Sequence, residues 1–340
     1  MTFALPHPRS LSRSTIVGLA ALTMTVALWS AFALSTRALG HSGLTVADAS
    51  ILRFGVPAVA LIPWMPRTLR ALRAERSTVV ALVLLAGLPH FLLFAWGAQL
   101  TSAALTGLLV PGTVPLFVTV LSWMRYRRRL SRRRWVALGA ITTGVAASAL
   151  CTGGDASVGG VAVLVVAGFV WALYTLGLSA TRLDPLGVMV VVSVTSLGAT
   201  VVLASTGVMP SHLLDGTADA HDIVTYAVLQ GIGTGLLSTT CYVLAVKHLG
   251  GVAAATAGAL SPVVTAVIAV PLLGEPITAG LAISLALIVS GVVVSSSEPA
   301  RRESATDPAG PPRHREVDDV TRAATTLHGS SPQGAPSPLG

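Results

Sequence analysis

The sequence predicts an all-α polytopic membrane protein: ten transmembrane helices in two inverted five-helix repeats, with both termini cytoplasmic. Three observations predict it. The 340-residue chain is 53% hydrophobic and 11% charged, with a mean hydropathy of +0.76. Its apolar runs of about 18 to 24 residues each suffice to cross roughly 30 Å of hydrocarbon at about 1.5 Å per residue. The stretch from Ala104 to Ala146 recurs from Gly251 to Val293 at an ungapped offset of 147, which aligns Pro115 with Pro262, Leu138 with Leu285 and Gly144 with Gly291. Finally, the basic residues fall almost entirely in every second link between spans, as the Lys/Arg bias of cytoplasmic loops requires.

Taken in order, residues 1–13 are a polar, basic N-terminus with Arg9 and Arg13. The first span is Ser14–Leu39; its basic start also resembles a signal peptide with Ala31-Phe32-Ala33 as a cleavage site, but the run is long for that. Val46–Met65, Ser77–Gln99, Ala103–Met124 and Trp135–Cys151 complete a first repeat over residues 14–151. A second repeat, residues 152–297, holds Val158–Ser179, Leu186–Gly207, Asp222–Lys247, Val252–Leu273 and Ala279–Ser297. Residues 298–340 turn abruptly to Pro, Ser, Thr, Gly and mixed charge, which cannot bury a core and reads as a disordered cytoplasmic tail.

With the N-terminus inside and ten crossings, 20 of the 22 Lys and Arg lie in cytoplasmic segments, leaving Arg37 and Arg53 towards the other side. The segment from Met209 to His221 is correspondingly free of Lys and Arg and carries Asp215 and Asp219. Five spans per half make the halves run in opposite directions. The turn from Arg125 to Arg134 therefore faces the cytoplasm, and its counterpart at Glu275 faces outward.

The net charge of +8 invites a nucleic-acid reading, but the arginines occupy short links between apolar spans rather than a basic face of a folded module. The expected partners are a small-molecule substrate and the lipid bilayer of the cell membrane, with no nucleic acid, as a monomer or homodimer. No cofactor and no metal are expected: Cys151 and Cys241 give no metal-site spacing, and Gly231-Ile232-Gly233-Thr234-Gly235 lacks the preceding strand of a dinucleotide loop. No catalytic constellation appears, so the chain does not read as an enzyme.

Ionisable groups inside hydrocarbon are costly and therefore point to function. Arg53 lies about seven residues into its span, roughly 10 Å deep at helical rise. It reads as a carboxylate or phosphate ligand, as a brace donating to backbone carbonyls, or as a side chain snorkelling to the interface. His90 follows Pro89 in mid-span; it either faces a cavity or rests neutral on a helix carbonyl. Trp29, Trp96, Trp171, Tyr174 and Tyr242 offer aromatic walls, with Trp29 and Trp171 at similar places in the two halves, and Thr239 lies on the polar side of its helix. Arg53, His90, the five aromatic residues and Thr239 are the candidate substrate site, and Gln230 and Thr240 share the polar side of the eighth helix with Thr239. Pro111, Pro115 and Pro262 are expected to interrupt helices four and nine near mid-membrane, the sequence pointer to a hinge or gate. No Asp or Glu lies in the core of a predicted span.

The second hairpin, Leu260-Ser261-Pro262-Val263-Val264, then Leu272-Leu273-Gly274-Glu275-Pro276-Ile277-Thr278 and a helix ending Ile288-Val289-Ser290-Gly291-Val292, resembles the signature of EamA-type transporters of the drug/metabolite transporter superfamily. Leu28-Trp29, Leu52-Arg53-Phe54 and Trp171-Ala172-Leu173-Tyr174 support the resemblance, which spans about residues 14 to 297. In the first half the family's Gly-Glu gives way to Arg127-Arg128. The resemblance implies movement of a small metabolite, amino-acid-like or drug-like, often outward, through a cavity between two inverted halves. Import or exchange by the same fold is the alternative, and a non-transporting receptor or scaffold is the reading from another class.

Overall fold

A computed structural model describes residues 12–126, 131–150, 158–249 and 260–296. The turn residues 127–130, Cys151, the small-residue run 250–259 and the tail lie outside the described residues. Every regular element is helical among those described. α1 (Arg13–Ala38) starts on Ser12, whose side chain accepts the amide of Thr15. There follow α2 (Val46–Ala60), α3 (Met65–Leu72), α4 (Ser77–Leu84), α5 (Leu88–Leu100), α6 (Ala103–Tyr126) and α7 (Arg132–Leu150). The second half holds α8 (Val158–Ala180), α9 (Pro185–Ser205), α10 (Ala220–Tyr226), α11 (Ser238–Leu249), α12 (Ser261–Leu273) and α13 (Ala279–Ser296). Among the described residues five helical spans are long and apolar enough to cross a membrane, or six if a bent pair is counted, with further shorter apolar helices.

Three predicted spans are less regular than expected. The second ends at Ala60, and after a short 3-10 turn at Ile62–Trp64 the chain turns by 60° into α3. Pro63 and Pro66 cannot donate to the preceding turn, so the helix stops where they begin. The third is split at 85–87, because Pro89 lacks the amide that would continue the ladder. The His90 amide reaches back to Leu85 instead, and the freed Leu88 amide is taken by Ser196 Oγ of the opposite half at 3.0 Å. The eighth passes through a π-helical stretch, Ala227–Leu237. A Cβ at Gly231 would stand 2.8 Å from the Leu52 carbonyl, and one at Gly235 would stand 3.1 Å from that of Arg53. These glycines therefore let the widened helix lie directly on α2.

The expected proline breaks are corrected in helix four. α6 runs unbroken through Pro111 and Pro115. Membrane helices tolerate such lost bonds, and Thr113 between the two prolines adds a side-chain bond within the helix, to the carbonyl of Leu109 at 2.7 Å. Pro262 stands in the first turn of α12, where its missing amide costs nothing.

The packing carries the repeat. α1 packs on α11 and α5 on α8; α6 packs on α8 and α1 on α12; α2 meets α9, α6 meets α12, and α7 meets α13. Exchanging the halves maps this set onto itself. The sharpest instance lies between α7 and α13. A Cβ at Gly144 would fall 2.6 Å from Ile288 Cγ1, and a Cβ at Gly291 would fall 2.7 Å from Ile141 Cγ1. Ile141 and Ile288 are themselves related by the offset of 147. Equivalent residues that cross-pair in this order belong to antiparallel helices, so the two-fold axis relating them is perpendicular to the helices.

Candidate functional site

A cavity of about 500 Å³ lies where the two halves meet, within the range of small-molecule pockets. Seven of the eight expected site residues line it: Trp29, Arg53, His90, Trp171, Tyr174, Thr239 and Tyr242. Pro111 lines it as well. The eighth, Trp96, is corrected: it lies outside the lining and is 59% exposed on the outer surface of the bundle. It sits six residues from His90, and at 3.6 residues per turn that places the two on different faces of α5.

The aromatic residues come as matched pairs. Trp29 on α1 meets Tyr242 on α11 with ring centroids 5.5 Å apart, and Trp171 on α8 meets His90 on α5 at 4.7 Å. Since α1–α11 and α8–α5 exchange under the two-fold axis, each half contributes one tryptophan and one partner ring. Tyr174 extends the second pair, 5.0 Å from Trp171.

Arg53 donates to no backbone carbonyl among the described residues and is turned to the interior instead. Its guanidinium lies 4.2 Å over the Phe32 ring and donates to Gln230 Oε1 at 3.1 Å. Phe32 in turn stacks on Phe94, 4.4 Å away, and Phe94 lies 5.8 Å from His90. The histidine is not bonded to a helix carbonyl through Nε2: this atom is buried and has no hydrogen-bond partner among the described residues. Arg53 and His90 therefore both line one aromatic chamber, with His90 Nε2 itself shielded from the open space.

The chamber is closed at one end and extends towards the other. At the closed end Gln230 Nε2 donates to Ser35 Oγ and Thr36 Oγ1, and the Tyr226 hydroxyl donates to the Ser35 carbonyl. One turn further, Gln99 Nε2 donates to the Thr36 carbonyl, and Arg37 Nε meets Glu275 Oε1 at 3.1 Å. Glu275 Oε2 also accepts the Ala103 amide at 2.7 Å. This ion pair joins the end of α1 to the α12–α13 turn and is mostly sheltered, at 14% and 16% side-chain exposure. At the same end the buried Asp48 accepts from Ser211 Oγ and from the amides of His212 and Leu213, tying the long α9–α10 connection to α2. The opposite end is reached past Leu178 and Thr239, both exposed.

The family model described as "EamA-like transporter family" matches residues 16–150 and again 158–297. The chain belongs to the EamA-like transporter family. Its members are membrane transporters of the drug/metabolite transporter superfamily, not enzymes. A solved structure described only as "Crystal structure of protein" matches with a TM-score of 0.51 at 19% identity, covering 87% of this chain and 100% of that one. That likeness concerns the fold alone. No curated protein matches the chain.

Within this EamA chain, sequence reasoning missed Gln230 as the partner of Arg53, and it treated Glu275 as a mere turn residue. The second had a readable signal. Arg37 is one of only two basic residues left on its side of the membrane by the charge count, and Glu275 falls on that same side. Gln230 could be placed on the polar side of its helix, but spacing does not show the neighbour it meets there.

Proposed function

We propose that this EamA protein is a secondary transporter that exports a small metabolite across the cell membrane by alternating access. In this reading it has ten spans, five per repeat, with both termini cytoplasmic. The observation that carries it is a mid-bundle chamber built from matched aromatic pairs of both repeats, sealed at one end by the Arg37–Glu275 pair. The sealed end is the outer one, and the chamber faces the cytoplasm.

Transport then requires the outer seal to part while the Leu178–Thr239 end closes. Parting separates α1 from the α12–α13 turn, so Pro262 at the head of α12 and Pro111 beside the chamber are the proposed hinge and gate positions, with Pro115 one turn beyond. Arg53 shares Gln230 with the inner layer of the seal. A substrate group that draws Arg53 away would loosen the same glutamine's hold on Ser35 and Thr36.

Flux into proteoliposomes of defined orientation tests the reading, with a panel of labelled metabolites under imposed pH and substrate gradients. Gradient-driven movement of at least one compound is expected; no flux of any would refute it. Single cysteines test the topology: Arg70→Cys should react with an impermeant maleimide only from the cytoplasmic side and Leu214→Cys only from outside.

A further inference from the structure

The chamber holds a positive charge that the protein does not neutralise. Among the described residues no Asp or Glu lines it, and Arg53 forms no ion pair. A guanidinium carries five N–H donors in a planar fork suited to a carboxylate, and here one hydrogen bond is made, to Gln230. Phe32, Phe54 and Phe91 surround the cation at 4.2 to 5.7 Å, which eases its burial without supplying an opposite charge. A charge kept out of water in this way is costly unless something pairs with it.

A second polar residue, His90, stands in the same wall. His90 is 3% exposed, lines the chamber, and its Nε2 is the one buried side-chain polar atom without a partner among the described residues. A buried polar nitrogen left unpaired costs about 1–3 kcal/mol. The rest of the wall is mostly aromatic and aliphatic, with Trp29, Trp171 and Tyr242 placed to take an apolar body.

We infer that the substrate is an amphipathic monoanion, a carboxylate paired with Arg53, whose aromatic or branched apolar body lies between Trp29 and Trp171. One guanidinium matches one negative charge; a second charge on the ligand would meet no cation in the lining. An ammonium would face Arg53 with no carboxylate to receive it, so amines and zwitterionic amino acids bind less well than the simple acid. This inference rests on the chamber being the transport site.

Titration calorimetry on the purified full-length protein tests it with 3-phenylpropionate, 3-phenylpropanol, 3-phenylpropylamine and phenylalanine. The acid should bind at least about tenfold tighter than the alcohol, as expected for charged hydrogen bonds in place of neutral ones. The amine and phenylalanine should bind no better than the alcohol. Arg53→Gln should erase the preference for the acid while leaving alcohol affinity within about threefold, and Arg53→Lys should keep part of it. Equal binding of acid and alcohol, tighter binding of the amine, or no binding of any of the four would overturn the inference. So would loss of acid and alcohol binding alike in an Arg53→Gln protein that still melts cooperatively, since Arg53 would then be a brace. Flux of 3-phenylpropanesulfonate, a permanent anion that does not cross lipid unaided, separates the two readings. Acid binding with no sulfonate flux would sink transport and keep the anion site; flux of the amine and not the sulfonate would do the reverse.

Discussion

Neutralising Glu275 should open the outer end of the chamber. Glu275→Gln keeps an oxygen for the Ala103 amide and removes only the charge that faces Arg37. At 3.1 Å the gross attraction is about 5 kcal/mol at an effective dielectric of 20. Desolvation of two sheltered groups offsets most of it, and hydrogen bonds to charged groups contribute about 1.5–3 kcal/mol net. If that contribution belongs to the outward-closed state alone, its loss moves the equilibrium by roughly 10- to 150-fold towards outward-open. The assay uses a single cysteine at position 33, a residue buried at the closed end of the chamber, in a Cys151→Ser/Cys241→Ser background. In intact cells an impermeant maleimide should label Ala33→Cys at least about tenfold faster when Glu275→Gln is added. The exchanged pair Arg37→Glu/Glu275→Arg should return labelling towards its original rate. Unchanged labelling in Glu275→Gln, in protein that still melts cooperatively, would refute the seal.

Other perturbations test the packing and the site. Gly144→Leu and Gly291→Leu place side chains where a Cβ alone would lie 2.6–2.7 Å from an isoleucine, and each should cost about 1–3 kcal/mol, read as similar drops in melting temperature. Gly139→Leu, with nothing within 4 Å, should leave it unchanged. Ser196→Ala strands the Leu88 amide and should lower stability by about 1–3 kcal/mol in a chemical unfolding titration, with Ser196→Thr less harmful. Trp171→Ala should weaken substrate affinity in the flux assay severalfold, whereas Trp96→Ala, on the outer surface, should leave transport within twofold of the original protein.

Much of this was legible because membrane physics is strict. A run such as Val158–Ser179 has no other stable form in hydrocarbon than a helix, and α8 covers it almost residue for residue. The offset of 147 was legible too, and it reappears as the crossed contacts of Gly144 and Gly291. The candidate site was found largely by rarity: so few ionisable or aromatic groups lie in the spans that most of them had to meet in the chamber. Trp96 shows where rarity fails, since an aromatic ring suits a lipid-facing surface as well as a cavity wall. Pro115 shows a second failure. Spacing places a proline within a span but not the response of the helix, and α6 stays helical through both Pro111 and Pro115.

The same symmetry raises the question of why one end should be closed. Contacts such as α1–α11 with α5–α8, or α7 with α13, are indifferent to which side opens, because exchanging the halves returns the same set. The selection must come from residues that break the repeat. At the Arg37 end the turn of the second half presents Glu275 to an arginine on α1. By the offset of 147, the corresponding position in the first half is Arg128, within a turn carrying seven arginines between 125 and 134. The Arg37–Glu275 pair therefore has no duplicate in the repeat, and pairs of this kind, unlike the symmetric helix contacts, can favour one end over the other.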